Sequence, residues 1–119
     1  MNDNYCEVMI RTMSRLVTRP VVAYNPDLAR ISGSVNAGMM LSRMCEWGGP
    51  SSDSCGDGWF CKTRDEWQEE LAMTRSEQET ARRKLREAGI IEEDRRGLPA
   101  RVHFRVNVDK VNDLLSKLN

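Results

Sequence analysis

Apolar and polar positions between residues 63 and 88 follow the pattern of two capped helices. Residues 63–66 have the capping-box form, with Thr at the N-cap and Glu three residues later, and residues 74–77 repeat it. The helix between them is short, and its inward side chains are predicted to be Trp67, Leu71 and Ala72. Two capped helices joined by so short a turn satisfy the requirement of a helix-turn-helix.

The second of these helices is followed at once by two strands. Its pattern runs to Ala88, and Gly89 then ends it at the position that favours a left-handed residue. Residues 90–94 are typical of a strand, residues 95–99 of a turn, and residues 101–106 alternate polar and apolar side chains. A hairpin in this position is a wing, so we predict a mainly α fold with a small β-wing, the winged helix-turn-helix. The inward face of the second helix is predicted to be Gln78, Ala81, Leu85 and Ala88.

The first half of the chain is patterned less sharply. Residues 1–18 fit a helix face and a strand equally well, so we treat them as a segment of uncertain role and residues 19–119 as the winged helix-turn-helix domain. Spacings of three and four apolar positions predict a largely buried helix over 35–47, capped by Ser34. Residues 48–58 have loop composition, and residues 59–61 read as a short strand. A closing helix over 109–118 is predicted to share an apolar face of Val111, Leu114, Leu115 and Leu118.

The charge balance limits how the chain could bind nucleic acid. Its 18 basic and 18 acidic residues cancel, which argues against binding by bulk charge alone. Residues 82–105, however, hold 8 basic and 4 acidic side chains, a local net charge of +4. No apolar run approaches the roughly 20 residues that span a bilayer, and no secretory signal is visible, so we expect a cytoplasmic protein without membrane contact.

The four cysteines do not indicate a metal site. Cys6, Cys45, Cys55 and Cys61 form no close pair of the kind that structural zinc sites use, and no histidine lies near them in sequence. Reduced thiols are the expected state in the cytoplasm, and a Cys55–Cys61 disulfide is left open in case the two flank a turn.

Nothing in the sequence indicates catalysis or a cofactor. The single histidine, His103, falls in a wing strand, and there is no Gly-rich phosphate loop followed by Lys. No nucleophile stands beside a base in a recognisable signature. The acidic cluster along the first capped helix is explained by the dipole at the helix N-terminus and by solvation: Asp65, Glu66, Glu69 and Glu70. We therefore predict a protein that is not an enzyme, with no metal and no cofactor.

Several short motifs, in order over residues 19–115, resemble one group of proteins. They are RPVVAYNP from Arg19, GSVNA from Gly33, GWFCKT from Gly58, EQETAR from Glu77, GII from Gly89 and GLPAR from Gly97. The group comprises winged-helix proteins of phages, plasmids and integrative elements, of the replication or helix-turn-helix type. The resemblance implies a DNA-binding protein of a mobile genetic element that acts in replication initiation or transcriptional regulation.

Helix-turn-helix geometry assigns roles to individual residues on double-stranded DNA. The N-terminal part of the second helix meets base edges, while flanking basic residues hold phosphate and the wing reaches backbone or minor groove. Arginines near the helix tip suit either guanine or phosphate. The predicted base contacts are Arg75, Ser76, Glu79, Thr80 and Arg83, the backbone contacts of the two helices are Lys62, Arg64, Arg82 and Arg86, and the wing contacts are Arg95, Arg96 and Arg101.

Acidic residues near the helix tip leave a second interpretation open. Glu77 has a capping role, but Glu79 facing DNA would repel phosphate unless it accepts from a cytosine amino group. The alternative is a protein-interaction module of a phage or plasmid that engages the host replisome, polymerase or a defence complex without reading DNA. What distinguishes the two is whether one face holds Arg82, Arg83, Arg86, Arg95 and Arg96 without interruption by Glu77, Glu79, Glu92 and Glu93.

A homodimer is expected, because a single winged helix makes few base contacts. Two elements are the candidate dimer surfaces. One is the methionine-rich helix over 35–47 and the other is the C-terminal helix over 109–118.

Overall fold

A computed structural model describes residues 24–47 and 58–118. The predictions for residues 1–18 and for most of the loop over 48–58 lie outside this part of the chain. The described residues form five helices and a three-stranded antiparallel sheet in the order β1-β3-β2, which is compatible with the predicted winged-helix arrangement. The elements in chain order are α1 Pro26–Ser32, α2 Val35–Trp47, β1 Phe60–Cys61, α3 Arg64–Leu71, α4 Arg75–Glu87, β2 Ile91–Arg96, β3 Arg101–Val106 and α5 Val108–Ser116.

Both predicted capping boxes are present at the starts of α3 and α4. The Thr63 hydroxyl accepts from the Glu66 backbone N–H at 3.2 Å, and the Glu66 carboxylate accepts from the Thr63 N–H at 3.1 Å. Thr74 and Glu77 make the same two bonds. Each box satisfies backbone donors that a helix start leaves without partners, so both helix starts are fixed by local chemistry.

Only residues 72–74 separate the two helices. The predicted inward position of Ala72 is wrong, because this residue is exposed and ends α3 in the left-handed region at φ +55°. Met73 is buried in its place, at 4% exposure. The buried Gln78 amide then donates to the Met73 carbonyl at 3.0 Å and to the Arg64 carbonyl at 3.1 Å. These bonds tie α4 to the turn and to the start of α3.

The hairpin that follows α4 is longer than the sequence pattern predicts. Gly89 has φ +74° and ends α4 as expected. Strand β2 continues through Arg95 and Arg96, which pair with Val102 and Arg101, so the predicted turn at these two arginines is wrong. The turn comprises residues 97–100, and Gly97 supplies its positive φ of +91°.

The core lies between α2, α3, α4 and the sheet. Its centre is aromatic: the Phe104 ring lies 5.7 Å from that of Phe60 and meets Trp67 edge-on at 6.0 Å. Met40 and Met44 of α2 are fully buried here. The methionine-rich helix therefore does not offer these side chains as a dimer surface, because they fill the core.

Helices α1 and α2 pack unusually closely. A Cβ placed on Gly38 would lie 2.5 Å from the Cα of Ala29, so only glycine fits at this crossing. Ser34 caps α2 as predicted, since its hydroxyl accepts from the Ala37 N–H at 3.1 Å. Val111 of α5 is buried, but the predicted inward position of Leu118 is wrong, because α5 ends at Ser116 and 44% of Leu118 is exposed. No helix among the described residues is long and apolar enough to cross a membrane.

Candidate nucleic-acid interface

The exposed side of α4, the start of α3 and strand β2 together enclose a shallow concavity of about 490 Å³. We call it the arginine concavity. All eight of its lining residues belong to the predicted DNA-binding set, although they come from three separate elements. They are Arg64, Ser76, Glu79, Thr80, Arg82, Arg83, Arg86 and Arg95.

A second, smaller cavity of about 200 Å³ continues this surface toward the hairpin. It shares Arg64, Arg82 and Arg95 with the arginine concavity and adds Arg101. The buried aromatic rings of the core form part of its lining. The basic surface therefore runs without a break from the middle of α4 to the base of the hairpin turn.

The arginines of this surface differ in whether they form ion pairs with acidic residues of the chain. Within the described residues, Arg83, Arg95 and Arg101 are exposed and make no ion pair. Arg82 and Arg86, in contrast, both pair with Glu93 of β2, with 2.7 Å between Arg82 Nε and Glu93 Oε1. Arg82 also lies over the Phe104 ring at 5.4 Å. This pairing fixes the hairpin against α4 and leaves the other arginines available to a ligand.

Of the four glutamates that could interrupt the surface, one lines it. Glu79 stands in the arginine concavity, 3.3 Å from Arg75 Nε and 4.0 Å from Arg64 Nη2. Glu93 lies beneath the arginines, with only 11% of its side chain exposed. The charge arrangement therefore favours neither DNA binding nor protein interaction outright, because the face is dominated by arginine but is not free of acid.

The remaining two glutamates lie off the surface. Backbone and side-chain hydrogen bonds from Thr74 hold the pKa of Glu77 below its usual 4.5, and its second oxygen faces Asn36 of α2 at 3.5 Å. Glu92 neighbours Glu93 along β2 and so points to the opposite side of the sheet, where it pairs with Arg105 at 2.5 Å.

Besides Arg101, three predicted DNA contacts do not line the arginine concavity: Arg75, whose Nε lies 3.3 Å from Glu79 Oε1, Lys62 and Arg96. The Lys62 prediction does not fit its position: the residue is 4% exposed, and its ammonium lies 2.6 Å from Glu70 Oε2 and over the Trp67 ring. Arg96 lies on the outer face of the hairpin, 2.9 Å from Asp94 and stacked at 4.5 Å over Trp59. The hydrogen bond from Arg96 lowers the pKa of Asp94.

The sequence pattern missed an interior charge cluster formed by Lys62, Glu70 and Arg43. Glu70 is not a solvated member of an acidic run as predicted, since it receives Lys62 on one oxygen and Arg43 on the other, both at 2.6 Å. Burial opposes ionisation of Glu70, but these hydrogen bonds outweigh it and hold its pKa below 4.5. Burial also lowers the pKa of the Lys62 ammonium, against the opposing effect of Glu70.

One signal could have revealed this cluster. Lys62 stands two residues after the buried Phe60, and positions two apart along an extended chain share a side. Its partners, however, come from the end of α3 and from α2, so their proximity arises only from the packing of separate elements.

The described residues include no group of three or more His, Cys, Asp or Glu side chains able to hold a metal. Cys61 is a free thiol, and Cys6 and Cys55 lie outside this part of the chain. In comparisons with known proteins, no family model matches the chain, and neither a curated protein nor a solved structure matches it significantly.

Proposed function

We propose that this chain is a winged helix-turn-helix protein that binds double-stranded DNA, with α4 in the major groove and the β2–β3 hairpin as the wing. One observation carries the proposal. Residues from α3, α4 and β2 form a single concave surface of five arginines against one glutamate. A protein of zero net charge needs such a local concentration of positive charge to attract phosphate.

The division of α4 into two faces supports this orientation. Gln78, Ala81 and Leu85 face the core at 2% exposure or less. The opposite side lines the arginine concavity at positions 76, 79, 80 and 83, spaced three and four residues apart, as one face of a helix requires. Hydroxyl, carboxylate and guanidinium groups on that face are the donors and acceptors that read base edges in the major groove.

The two sides of the concavity could each contact the phosphates of one DNA strand. Arg83 projects from α4 and Arg95 from β2, and neither is engaged by an acidic partner within the described residues. Arginines free of intramolecular pairing lose nothing when they turn to phosphate, whereas Arg82 and Arg86 would have to leave Glu93. We therefore assign the main backbone contacts to Arg83 and Arg95.

The proposal extends to the biological setting implied by the motif resemblance. The chain then acts in the cytoplasm on DNA of a mobile genetic element, in replication initiation or transcriptional regulation. It binds as a homodimer, and α5 with the residues that follow it is the remaining candidate surface, since Val108 is 60% and Leu118 44% exposed.

The test is fluorescence anisotropy of a labelled duplex across a salt series. We expect the logarithm of the association constant to fall linearly with the logarithm of salt concentration, by about 0.9 per phosphate contacted. Substituting both Arg83 and Arg95 with alanine should weaken binding at least tenfold, and the slope should become shallower by about two. Both side chains are on the surface, so the fold should be unaffected.

A matched control removes the same charge from elsewhere. Arg30 of α1 and Arg105, which pairs with Glu92 on the opposite side of the sheet, lie outside the arginine concavity, and their double alanine variant should bind as the wild type does. Equal loss in the two double variants would show that only total charge matters. No salt-dependent binding by the wild type would overturn the proposal.

Glu79 favours a second candidate, the protein-interaction module that engages host machinery. Its side chain is 54% exposed beside two arginines, an arrangement that phosphate does not need and that a partner with mixed charges could match. The salt series separates the candidates, because this second function predicts no duplex binding.

A further inference from the structure

The distal half of the β2–β3 hairpin extends out of the body of the protein. Residues 94–101 are all exposed, whereas Glu93 before them is mostly covered by α4. Strands rise about 3.3 Å per residue, so the end of β2 at Arg96 lies about 10 Å beyond Glu93. The turn at residues 97–100 is therefore carried well clear of the core, at the end of the basic surface.

The end of this hairpin is apolar. Leu98 is 101% exposed, the highest value among the exposed large hydrophobic residues of the described chain. Its neighbours in the turn are Gly97, Pro99 and Ala100, so none of the four turn residues carries a charge or a polar side-chain group. Solvated turns favour Asn, Asp and Ser, and a turn of this composition has no polar side chain to offer water.

Two arginines flank the apolar tip: Arg95, on the face of the hairpin toward α4, and Arg101, the register partner of Arg96, at the start of β3. Arg95 and Arg101 line the cavity at the base of the turn and make no ion pair within the described residues. An isolated surface leucine needs no explanation. One held at the tip of a hairpin, between two arginines available to phosphate, matches a known kind of DNA contact. In that contact an apolar side chain enters the minor groove between base steps while arginines lie beside it.

We propose that Leu98 is a wedge that enters the minor groove, partly separates two stacked base pairs and bends the duplex away from the hairpin. This inference rests on the proposed function, since it needs α4 and the arginine concavity to seat the DNA. The minor groove is about 6 Å wide and 7.5 Å deep, so the exposed end of the hairpin is long enough to reach its floor. Pyrimidine–purine steps unstack most easily, and the wedge should favour them.

The experiment measures base unstacking and bending separately from affinity. The probe is a duplex of about 30 base pairs that carries the sequence selected by the wild-type chain from a random library. It contains 2-aminopurine at each pyrimidine–purine step in turn, and in a second version a donor and an acceptor dye at its ends. We expect the wild type to raise 2-aminopurine fluorescence at one step and to shorten the distance between the dyes.

Three variants test whether Leu98 causes the rise in 2-aminopurine fluorescence and the shorter distance between the dyes. Leu98→Ala should abolish both and weaken binding on the order of tenfold, while the salt slope stays unchanged because no phosphate contact is lost. Leu98→Phe should retain both signals, since a larger apolar side chain still separates base pairs. Val35→Ala, which trims an exposed apolar residue at the start of α2, outside the arginine concavity and α5, should behave as the wild type.

The possible results distinguish a failure of the wedge from a failure of the proposed function. Salt-dependent binding without unstacking by the wild type would overturn the wedge and leave the proposed function standing. Unstacking that survives in Leu98→Ala would also overturn the wedge. A wild type that binds no duplex would overturn the proposed function and the wedge with it.

Discussion

Helix α3 separates two groups of charged side chains that have opposite roles. At its end, Glu70 belongs to the interior charge cluster, in which the side chains of Lys62, Arg43 and Glu70 are 2%, 16% and 21% exposed. At its start, Arg64 lines the arginine concavity with its side chain 51% exposed. The same residue types therefore hold the fold together on one side of the helix and stand open to a ligand on the other.

Burial explains the difference. A charge removed from water must be matched by a nearby opposite charge, and losing that partner is strongly destabilising. An exposed ion pair contributes about 0–1 kcal/mol, so an exposed arginine can exchange an internal partner for phosphate at little cost to the fold. Substitutions in the interior charge cluster should thus change stability, and substitutions of the exposed arginines of the concavity, Arg83 and Arg95, should change binding.

The largest effect is expected from Glu70→Gln. The variant keeps the shape of the side chain but leaves Lys62 and Arg43 without the carboxylate that both contact at 2.6 Å. Breaking a fully buried pair costs about 3–5 kcal/mol, and because a fifth of Glu70 is exposed we expect a loss of about 2–3 kcal/mol. Urea unfolding followed by tryptophan fluorescence measures it.

Glu87→Gln is the matched control, because Glu87 is an exposed residue of α4 outside both charge groups. It should change the unfolding free energy by less than about 0.5 kcal/mol. The folded Glu70→Gln protein should bind duplex DNA as tightly as the wild type. A change in its salt slope would contradict the separation of the two charge groups.

Acid should weaken the interior charge cluster in a defined direction. The pKa of Glu70 is lower in the folded chain than its usual 4.5, so its contribution to stability is complete above that pH. The contribution is lost as pH falls below 4.5 and through the folded value. The difference in unfolding free energy between the wild type and Glu70→Gln should therefore be constant near neutral pH and shrink in acid.

Glu77 and Asp94 also have lowered pKa values, but both remain in the two proteins and cancel in this difference. Urea titrations at a series of pH values give the difference directly. A difference that persists unchanged far below pH 4.5 would show that charge on Glu70 is not what stabilises the cluster.

The two charge groups also differ in how well the sequence predicts them. The caps of α3 and α4, the stop at Gly89 and the alternation along β3 are signals within a few neighbouring residues, and the structure bears each of them out. The spacing of apolar residues along α4 likewise predicted its inward face, and the outward face is the opposite side of the same helix. This is why so much of the arginine concavity could be predicted.

What the sequence could not provide is the pairing of charges across elements. Residues 62 and 43 are brought to Glu70 by the packing of three segments, and nothing in the spacing of these charges indicates it. The same holds for Arg96, whose strand neighbours alternate regularly but whose stacking on Trp59 depends on the register of β1 against β3. From the sequence alone, such residues look available to bind phosphate. Only their three-dimensional surroundings show that they already contact other side chains of the protein.

The smallest expected effect belongs to Glu79→Gln, the one change that makes the arginine concavity free of acid. Removing this carboxylate releases Arg75 and Arg64 and ends its repulsion of phosphate, so affinity for DNA of random sequence should rise about threefold at low salt. Stability should change by less than about 0.5 kcal/mol because the pairs are exposed. Anisotropy titrations against random and selected duplexes measure the effect, with Glu87→Gln as the control on the same helix. Should affinity fall instead, and only for the selected duplex, Glu79 would be a base contact that accepts from a cytosine amino group rather than a brake on phosphate binding.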